Sequence, residues 1–233
     1  MKSEEFLETF GTSNQGRAAT AIDKRRKKRE VWTWRLLLCS AFFTLHSSLF
    51  TSCSEENTTE EEFANWQERN EGTTDRWATR ANSDWYRKIL TYTKESSAQD
   101  LTNSDYIYVE QLEAGSGTES PIYTDTVRVS YRGRLIQSAS YSEGYVFDQT
   151  YLNDFDWKTA GVADLAVSGV VDGFCTALLN MHKGDRWRVH IPYPLGYGSS
   201  SQSTIPAYSN LIFDIALQDF WHPGETHGEF KCR

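Results

Sequence analysis

Four cysteines are spread through the chain and none stands at a metal-ligand spacing. A structural zinc site needs paired Cys or His at short intervals. His222 and His227 are too sparse to supply one. No metal or other cofactor is therefore expected. No Ser–His–Asp or Cys–His constellation suggests itself, so covalent hydrolytic chemistry has no candidate nucleophile with a base. No apolar run reaches the roughly 20 residues a bilayer-spanning helix takes. Basic charge is scarce beyond the N-terminus. Residues 1–53 hold nine Lys/Arg against five Asp/Glu, which leaves fifteen against twenty-seven in 54–233, a net of -12. A segment that acidic repels phosphates, so no nucleic-acid partner is expected. Cys175 lies on an apolar stretch and reads as a buried thiol, with a Cys175–Cys232 disulfide as the alternative.

Aromatics, by contrast, are plentiful. They make up 14% of the 233 residues, with eight Trp, which points to a packed core or an aromatic-lined site. The length suits one domain with extensions, or two small ones. Composition and pattern divide the chain into a tail and signal segment (1–53), a helical extension (54–100), a main domain (101–221) and a short tail (222–233).

The first segment ends its polar part in Lys24-Arg25-Arg26-Lys27-Lys28-Arg29, and an apolar run follows from Leu36 to Phe50. A basic run followed by a short apolar one is the layout of a secretory signal peptide. The run closes Leu49-Phe50-Thr51-Ser52-Cys53, which resembles a lipobox with Cys53 as the lipidated residue, although Phe50 stands where Leu is usual. Ser54-Glu55-Glu56 is similar to the acidic signal that directs some lipoproteins to the cell surface. A membrane-anchored lipoprotein of the cell envelope, at the outer membrane or cell surface, is the expectation, with a plain signal anchor as the alternative. The 30-residue basic region is long for a signal peptide and leaves two readings, a translation start near Val31 or a cytoplasmic tail.

In the extension, Thr58-Thr59-Glu60-Glu61 fits a capping box, and Gly72 is expected to stop the helix that follows. Thr74-Asp75 then opens a second helix, on which Trp77, Ala81, Trp85 and Ile89 form an apolar stripe. The stripe needs a partner, either the following domain or a second copy of the chain in a homodimer.

From Tyr106 the period becomes strand-like. Val127, Val129 and Tyr131 alternate with Arg128, Ser130 and Arg132. Trp187, Val189 and Ile191 alternate with Arg186, Arg188 and His190, which read as a solvated face. Leu211, Phe213, Ile215 and Leu217 form the inward face of a last strand. Between these lies one helical stretch, with Asp172 at its expected N-cap, Phe174, Ala177, Leu178 and Met181 on one face, and Lys183-Gly184 at its end. The pattern predicts an α+β domain of about 120 residues, enough to bury one core: a twisted antiparallel sheet of about five strands wrapped around one short helix.

Six motifs in this region then occur in a familiar order. They are Val129-Ser130-Tyr131-Arg132-Gly133, Val146-Phe147-Asp148, Val170-Val171-Asp172-Gly173-Phe174, Ala177 to Gly184, Ile191-Pro192 with Gly196-Tyr197-Gly198, and Ile205-Pro206 followed by Leu211-Ile212-Phe213-Asp214. Together they resemble the FKBP-type peptidyl-prolyl cis–trans isomerases over about Tyr106 to Trp221. The resemblance implies a pocket between helix and sheet. It assigns aromatic walls to Tyr131, Phe147 and Phe213, a neighbouring carboxylate to Asp148, and the floor to Phe174, where the family often has Trp. It assigns an aliphatic pair to Val170 and Val171, the latter offering its N–H to a ligand carbonyl. Tyr197 supplies a hydroxyl for the substrate carbonyl, Ile205 caps the site, and Phe155 is a further wall, with Trp157 competing for that alignment. It also implies proline-containing polypeptide substrates and macrolide inhibitor binding. Two loops depart from the family pattern, since Gln137–Tyr145 is longer and Ser199–Thr204 is shorter and Ser-rich. Three readings follow: a folding isomerase for exported proteins, a proline-binding or chaperone module with weak turnover, and a surface lipoprotein that self-associates through its Trp-bearing arm.

Overall fold

The computed structural model of the chain describes residues 62–81, 83 and 85–225. The chain divides into two units, Met1–Glu56 and Asn57–Arg233, and every described residue lies in the second. The basic run, the lipobox-like segment with Cys53, the Thr58–Glu61 capping box and Cys232 lie outside the described residues.

Helix α1 (Trp66–Arg80) is followed by strands β1 (Tyr86–Leu90), β2 (Tyr106–Glu113), β3 (Thr126–Leu135), β4 (Val146–Gln149) and β5 (Ala163–Ala166). Helix α2 (Asp172–Leu178) and strands β6 (Arg186–Ile191) and β7 (Leu211–Trp221) complete the order. The seven strands form one antiparallel sheet in the order β1-β2-β6-β7-β3-β4. The outer edge of β3 is shared: its first residues pair with β5 and its last with β4. The residues expected to face inward on β3, β6 and β7, namely Val127, Val129, Trp187, Val189, Ile191, Leu211, Phe213, Ile215 and Leu217, are all buried, but Ser130, His190, Asp214 and Ala216 at alternate positions are buried as well.

Both faces of the middle of the sheet are covered. Ile107, Tyr108 and Val109 are consecutive and fully buried, which a strand permits only when each face has a layer over it. On one face lies α2, and all six residues from Gly173 to Leu178 are buried, so the helix is enclosed rather than amphipathic. It lies so close to β6 that a Cβ on Gly173 would meet the Ile191 side chain. On the other face lies α1. Its Trp77 ring stands 6.2 Å from Tyr108 and 4.9 Å from His190, which are register partners on β2 and β6.

Several expectations are corrected here. Gly72 does not stop a helix. α1 runs through it unbroken, and the Thr73 and Thr74 hydroxyls are absorbed by donating to the carbonyls of Arg69 and Asn70. The Trp77–Ala81–Trp85–Ile89 stripe does not exist, because the helix ends at Arg80 and Ile89 belongs to β1, inside the span expected to be helical. The buried face of α1 is instead Trp66, Asn70, Thr73, Thr74 and Trp77, at helical spacing but mostly polar. Docking on the following domain, one of the two partners considered, is what α1 does. His190 is not on a solvated face; it is buried beneath α1. Asp172 is the first helical residue, not the cap. Val171 holds the cap position without a side-chain bond, and the Asp172 carboxylate accepts from the Tyr92 hydroxyl at 3.3 Å. α2 stops at Leu178, two turns long, and Gly184 at φ 90 serves the turn into β6.

Candidate active site

β3 carries Tyr131, β4 carries Phe147 and Asp148, α2 carries Phe174 and β7 carries Phe213. β3 has β7 on one side and β4 on the other, so residues far apart in sequence arrive on adjacent strands. Tyr131 and Gly133 share a face of β3 by the strand period. Gly133 faces Asp148 on one neighbour and Phe213 on the other.

Four rings meet there nearly edge to face. Phe213 is 5.0 Å from Phe174, 5.5 Å from Phe147 and 6.2 Å from Tyr131, and Tyr131 is 6.1 Å from Phe174. Such arrangements point ring edges at ring faces, the favoured sense of the aromatic quadrupole. Phe174 and Phe213 are buried, whereas Tyr131 and Phe147 are partly open, so the cluster has a closed base and an accessible wall. The Tyr131 hydroxyl donates to Asp148 Oδ2 at 2.7 Å. Burial first, and then this carboxylate, hold the phenol well above the usual tyrosine range, so Tyr131 is a neutral hydroxyl at any working pH.

Gly133 carried no role in the sequence reading, yet it lies directly under the rings. A Cβ there would come within 2.5 Å of Phe213 and 2.7 Å of Phe147. Its place in the Val129–Gly133 motif was the available signal.

Val170 and Val171 are half-buried and pack against the core just before α2. The Val171 carbonyl accepts from the Cys175 N–H at 2.9 Å, while its own N–H has no acceptor among the described residues. Ile205 is buried in the core and bridges back to Gln202. Tyr197 is 38% exposed, in a turn where Gly198, at φ 61, donates to the Tyr193 carbonyl at 2.8 Å. It lies close enough to Tyr131 to add to the field that raises that phenol. Phe155 packs elsewhere. Its ring lies 5.4 Å from Tyr151 and 5.0 Å from Trp157, with the Arg186 guanidinium 4.5 Å away. The Asp156 carboxylate folds that loop locally by accepting from the N–H groups of Lys158 and Thr159, which carries Phe155 toward β6. Cys175 is buried as a free thiol, and desolvation pushes it up to about 11, so it offers no nucleophile. Among the described residues no group of His, Cys, Asp or Glu could hold a metal ion.

Chemically this is a cluster of four aromatic rings, two of them partly open, with one hydroxyl oriented by a carboxylate. It suits a compact apolar ring beside a carbonyl better than it suits a reaction needing a base.

The family model of FKBP-type peptidyl-prolyl cis–trans isomerases matches residues 117–218. The chain is 35% identical over 119 residues to FKBP-type peptidyl-prolyl cis-trans isomerase FkpA of Escherichia coli (strain K12), covering 51% of this chain and 39% of that protein. It is 32% identical over 138 residues to peptidyl-prolyl cis-trans isomerase Mip of Coxiella burnetii, covering 58% of this chain and 54% of that one. The crystal structure of FkpA from Escherichia coli shares the fold at a TM-score of 0.50 and 20% identity, over 94% of this chain and 98% of that one. The chain thus spans 39% and 54% of the length of these two curated relatives.

Proposed function

We propose, from the premise that residues 117–218 belong to the FKBP-type peptidyl-prolyl cis–trans isomerase family, that the chain catalyses cis–trans isomerisation of X–Pro bonds in exported polypeptides during their folding. The observation that carries the reading is the four-ring cluster of Tyr131, Phe147, Phe174 and Phe213 with the Tyr131 hydroxyl fixed on Asp148.

Turning an X–Pro bond breaks amide resonance against a barrier of about 18–20 kcal/mol. No covalent bond forms and no proton moves, so an apolar site without a base is adequate. The twisted amide carries less charge on its carbonyl than either planar isomer. A proline ring seated against the four rings is taken out of water, and the site favours the less polar, twisted form. Tyr197 and the Val171 N–H are proposed to hold the neighbouring carbonyls, Val170 and Ile205 to border the ring, and Asp148 to aim the Tyr131 hydroxyl. Each tenfold in rate requires only about 1.4 kcal/mol, so several modest contributions suffice. Macrolide inhibitors are proposed to enter the same pocket, and Phe174 offers them less ring area than Trp.

The further context belongs to the same proposal: export by the N-terminal signal segment, lipidation at Cys53 and attachment to the cell envelope. Among the described residues no helix is long and apolar enough to cross a membrane.

A protease-coupled assay on an X-Pro peptide tests the activity. Wild-type protein should accelerate isomerisation, a macrolide should inhibit it, and a Tyr197→Phe plus Phe174→Ala variant should lose most of it. Wild-type activity no higher than that of the double variant would overturn the reading. Binding of the peptide without isomerisation would instead favour a proline-binding module, with the long Gln137–Tyr145 loop recruiting a client.

A further inference from the structure

A concavity lies on the face of the sheet opposite the ring cluster. It has a volume of about 880 Å³ and runs between α1 and the end of β3 with the loop that follows. Its position relative to the proline pocket is fixed by the strand period. Phe213 and Gly133 belong to the pocket, while their neighbours Ile212 and Arg134 line this groove, and successive side chains on a strand point to opposite faces.

Four arginines line it: Arg69, Arg76 and Arg80 from α1, and Arg134 from β3. Two carboxylates accompany them, Glu68 and Glu143. In a segment with a net charge of -12, this is a local excess of the opposite sign. Arg69, Arg76 and Arg80 are spaced by seven and four residues, so they lie in a row on one helix face. Among the described residues none of the three is ion-paired, although Arg69 already donates to the Glu62 and Gln137 carbonyls and offers the groove only its remaining N–H groups; Arg134 reaches Glu143 only at 4.0 Å. Arg80 lies over the Tyr86 ring, 5.1 Å from its centroid. The field is felt beneath the floor as well, where Arg134 and Arg80 help keep the buried His190 ring neutral. The floor itself is apolar, from Trp77, Ile136 and Ile212.

The groove is preformed. The loop after β3, the long Gln137–Tyr145 segment, is pinned to the chain before α1. The Glu62 carboxylate accepts from the Ser140 N–H at 3.0 Å and from its hydroxyl at 2.6 Å. Arg69 donates to the Gln137 carbonyl at 2.8 Å.

We propose that this groove binds an acidic polypeptide segment in extended form, with its carboxylates on the arginine row and its apolar side chains on the Trp77–Ile136–Ile212 floor. Three observations select that occupant. The row from Arg69 to Arg80 spans about 16 Å, which matches about five extended residues and exceeds any compact anion. Arginine forks pair with carboxylates in a bidentate manner. The floor beside the row is apolar, from Trp77, Ile136 and Ile212, which a polyphosphate would leave uncovered. The site is separate from the proline pocket, and the proposal does not rest on the isomerase reading.

Fluorescence anisotropy with the full chain and a labelled octapeptide of alternating Glu and Leu, without proline, tests it. Saturable binding is expected, weakening as salt rises from about 20 to about 150 mM. The Arg76→Gln plus Arg134→Gln variant should bind about tenfold more weakly or worse, with its thermal melt and X-Pro isomerisation unchanged. Arg76→Glu, at an exposed helix position, should weaken binding without touching the sheet. The proposal is overturned if wild-type protein does not bind, if the peptide with Gln in place of Glu binds equally well, or if the folded variants bind as wild type does. It is also overturned, in favour of a second copy as occupant, if sedimentation shows self-association that the same substitutions abolish while the peptide fails to bind.

Discussion

Asn210 is bonded twice to Asn70, 140 residues away in sequence: its backbone N–H donates to the Asn70 side-chain oxygen at 2.8 Å, and its side-chain amide donates to the Asn70 carbonyl at 2.7 Å. Both residues are fully buried. The same Asn210 side chain donates to Thr74 at 3.0 Å and accepts from the Tyr193 N–H at 2.8 Å. Trp66 adds its indole N–H to Ser209 at 2.8 Å. One polar cluster therefore joins α1, the residues that lead into β7, and the start of the turn that carries Tyr197. A satisfied polar cluster of this kind specifies a single docking geometry.

The first prediction concerns this joint. Asn70→Ala leaves the buried Asn210 N–H without its acceptor, and burying an unpaired donor costs about 1–3 kcal/mol beyond the bonds lost. Urea denaturation should show a loss of about 2–4 kcal/mol with an unchanged slope. A loss near zero would mean that α1 does not hold its place through this contact. Asn210→Ala should in addition lower isomerase activity, because the Tyr193–Tyr197 turn loses its anchor.

A second prediction uses Gly133. Its backbone needs no positive φ, so Gly133→Ala acts through packing alone. The added methyl must displace Phe213 or Phe147, and overpacking of this kind costs about 1–3 kcal/mol. The protein should stay folded by circular dichroism while kcat/KM on an X-Pro peptide falls more than tenfold. Full activity would show that the ring geometry is not what the reaction uses.

Much of this was legible in the sequence, for identifiable reasons. On β3, β6 and β7 the face toward α2 is apolar, while the other face carries polar or small residues such as Ser130, His190, Asp214 and Ala216 even where it is buried, so an apolar period survives in the sequence. The ring cluster was legible because each member sits in a short motif, although Tyr131, Phe174 and Phe213 meet only through the sheet order. α1 was misread because its buried face is Asn70, Thr73 and Thr74 between two tryptophans. A face satisfied by hydrogen bonds carries no hydrophobic period, and the Trp77–Ile89 spacing imitated one across a helix end. His190 was misread for a related reason. Alternation with Val189 and Ile191 marks it as facing away from the first core, and nothing local reveals the helix that covers that side. Phe155 followed an aligned position whose loop turns elsewhere on Asp156.

The third prediction separates aiming from packing at Tyr131. If Asp148 acts by orienting the Tyr131 hydroxyl, Tyr131→Phe and Asp148→Ala remove the same interaction. Each should lower kcat/KM by about tenfold or less, and the double variant should be little worse than the poorer single one. Purely additive losses in that cycle would mean that the two side chains act independently. A pH profile flat from pH 6 to 9 is expected alongside, since the raised Tyr131 phenol does not titrate there.

The fourth prediction is a pH dependence of stability centred on His190. Its ring lies tilted 4.9 Å from Trp77 and edge-on 5.8 Å from Tyr86, and both ring nitrogens are buried without a hydrogen-bond partner. Desolvation, reinforced by Arg188, Arg134 and Arg80 and opposed by Asp214, lowers it from 6.5 to about 3. The unfolded chain therefore takes up a proton near pH 6.5 that the folded one refuses until about pH 3. The contribution to stability is complete above pH 6.5 and is lost as pH falls through that window, at about 1.4 kcal/mol per unit. His222 works in the opposite sense. Its hydrogen bond to Asp125, at 2.8 Å, raises it, so its contribution is present at low pH and fades as pH rises through the raised value. Carboxylates titrate in the lower part of the His190 window, so the measurement is a difference between two proteins. His190→Leu keeps an apolar side chain under Trp77 and removes the titration. Wild type should lose about 2 kcal/mol more than this variant between pH 7 and pH 5 in urea unfolding. Parallel pH curves would mean that His190 can be protonated in place, with the α1 side of the sheet open to water.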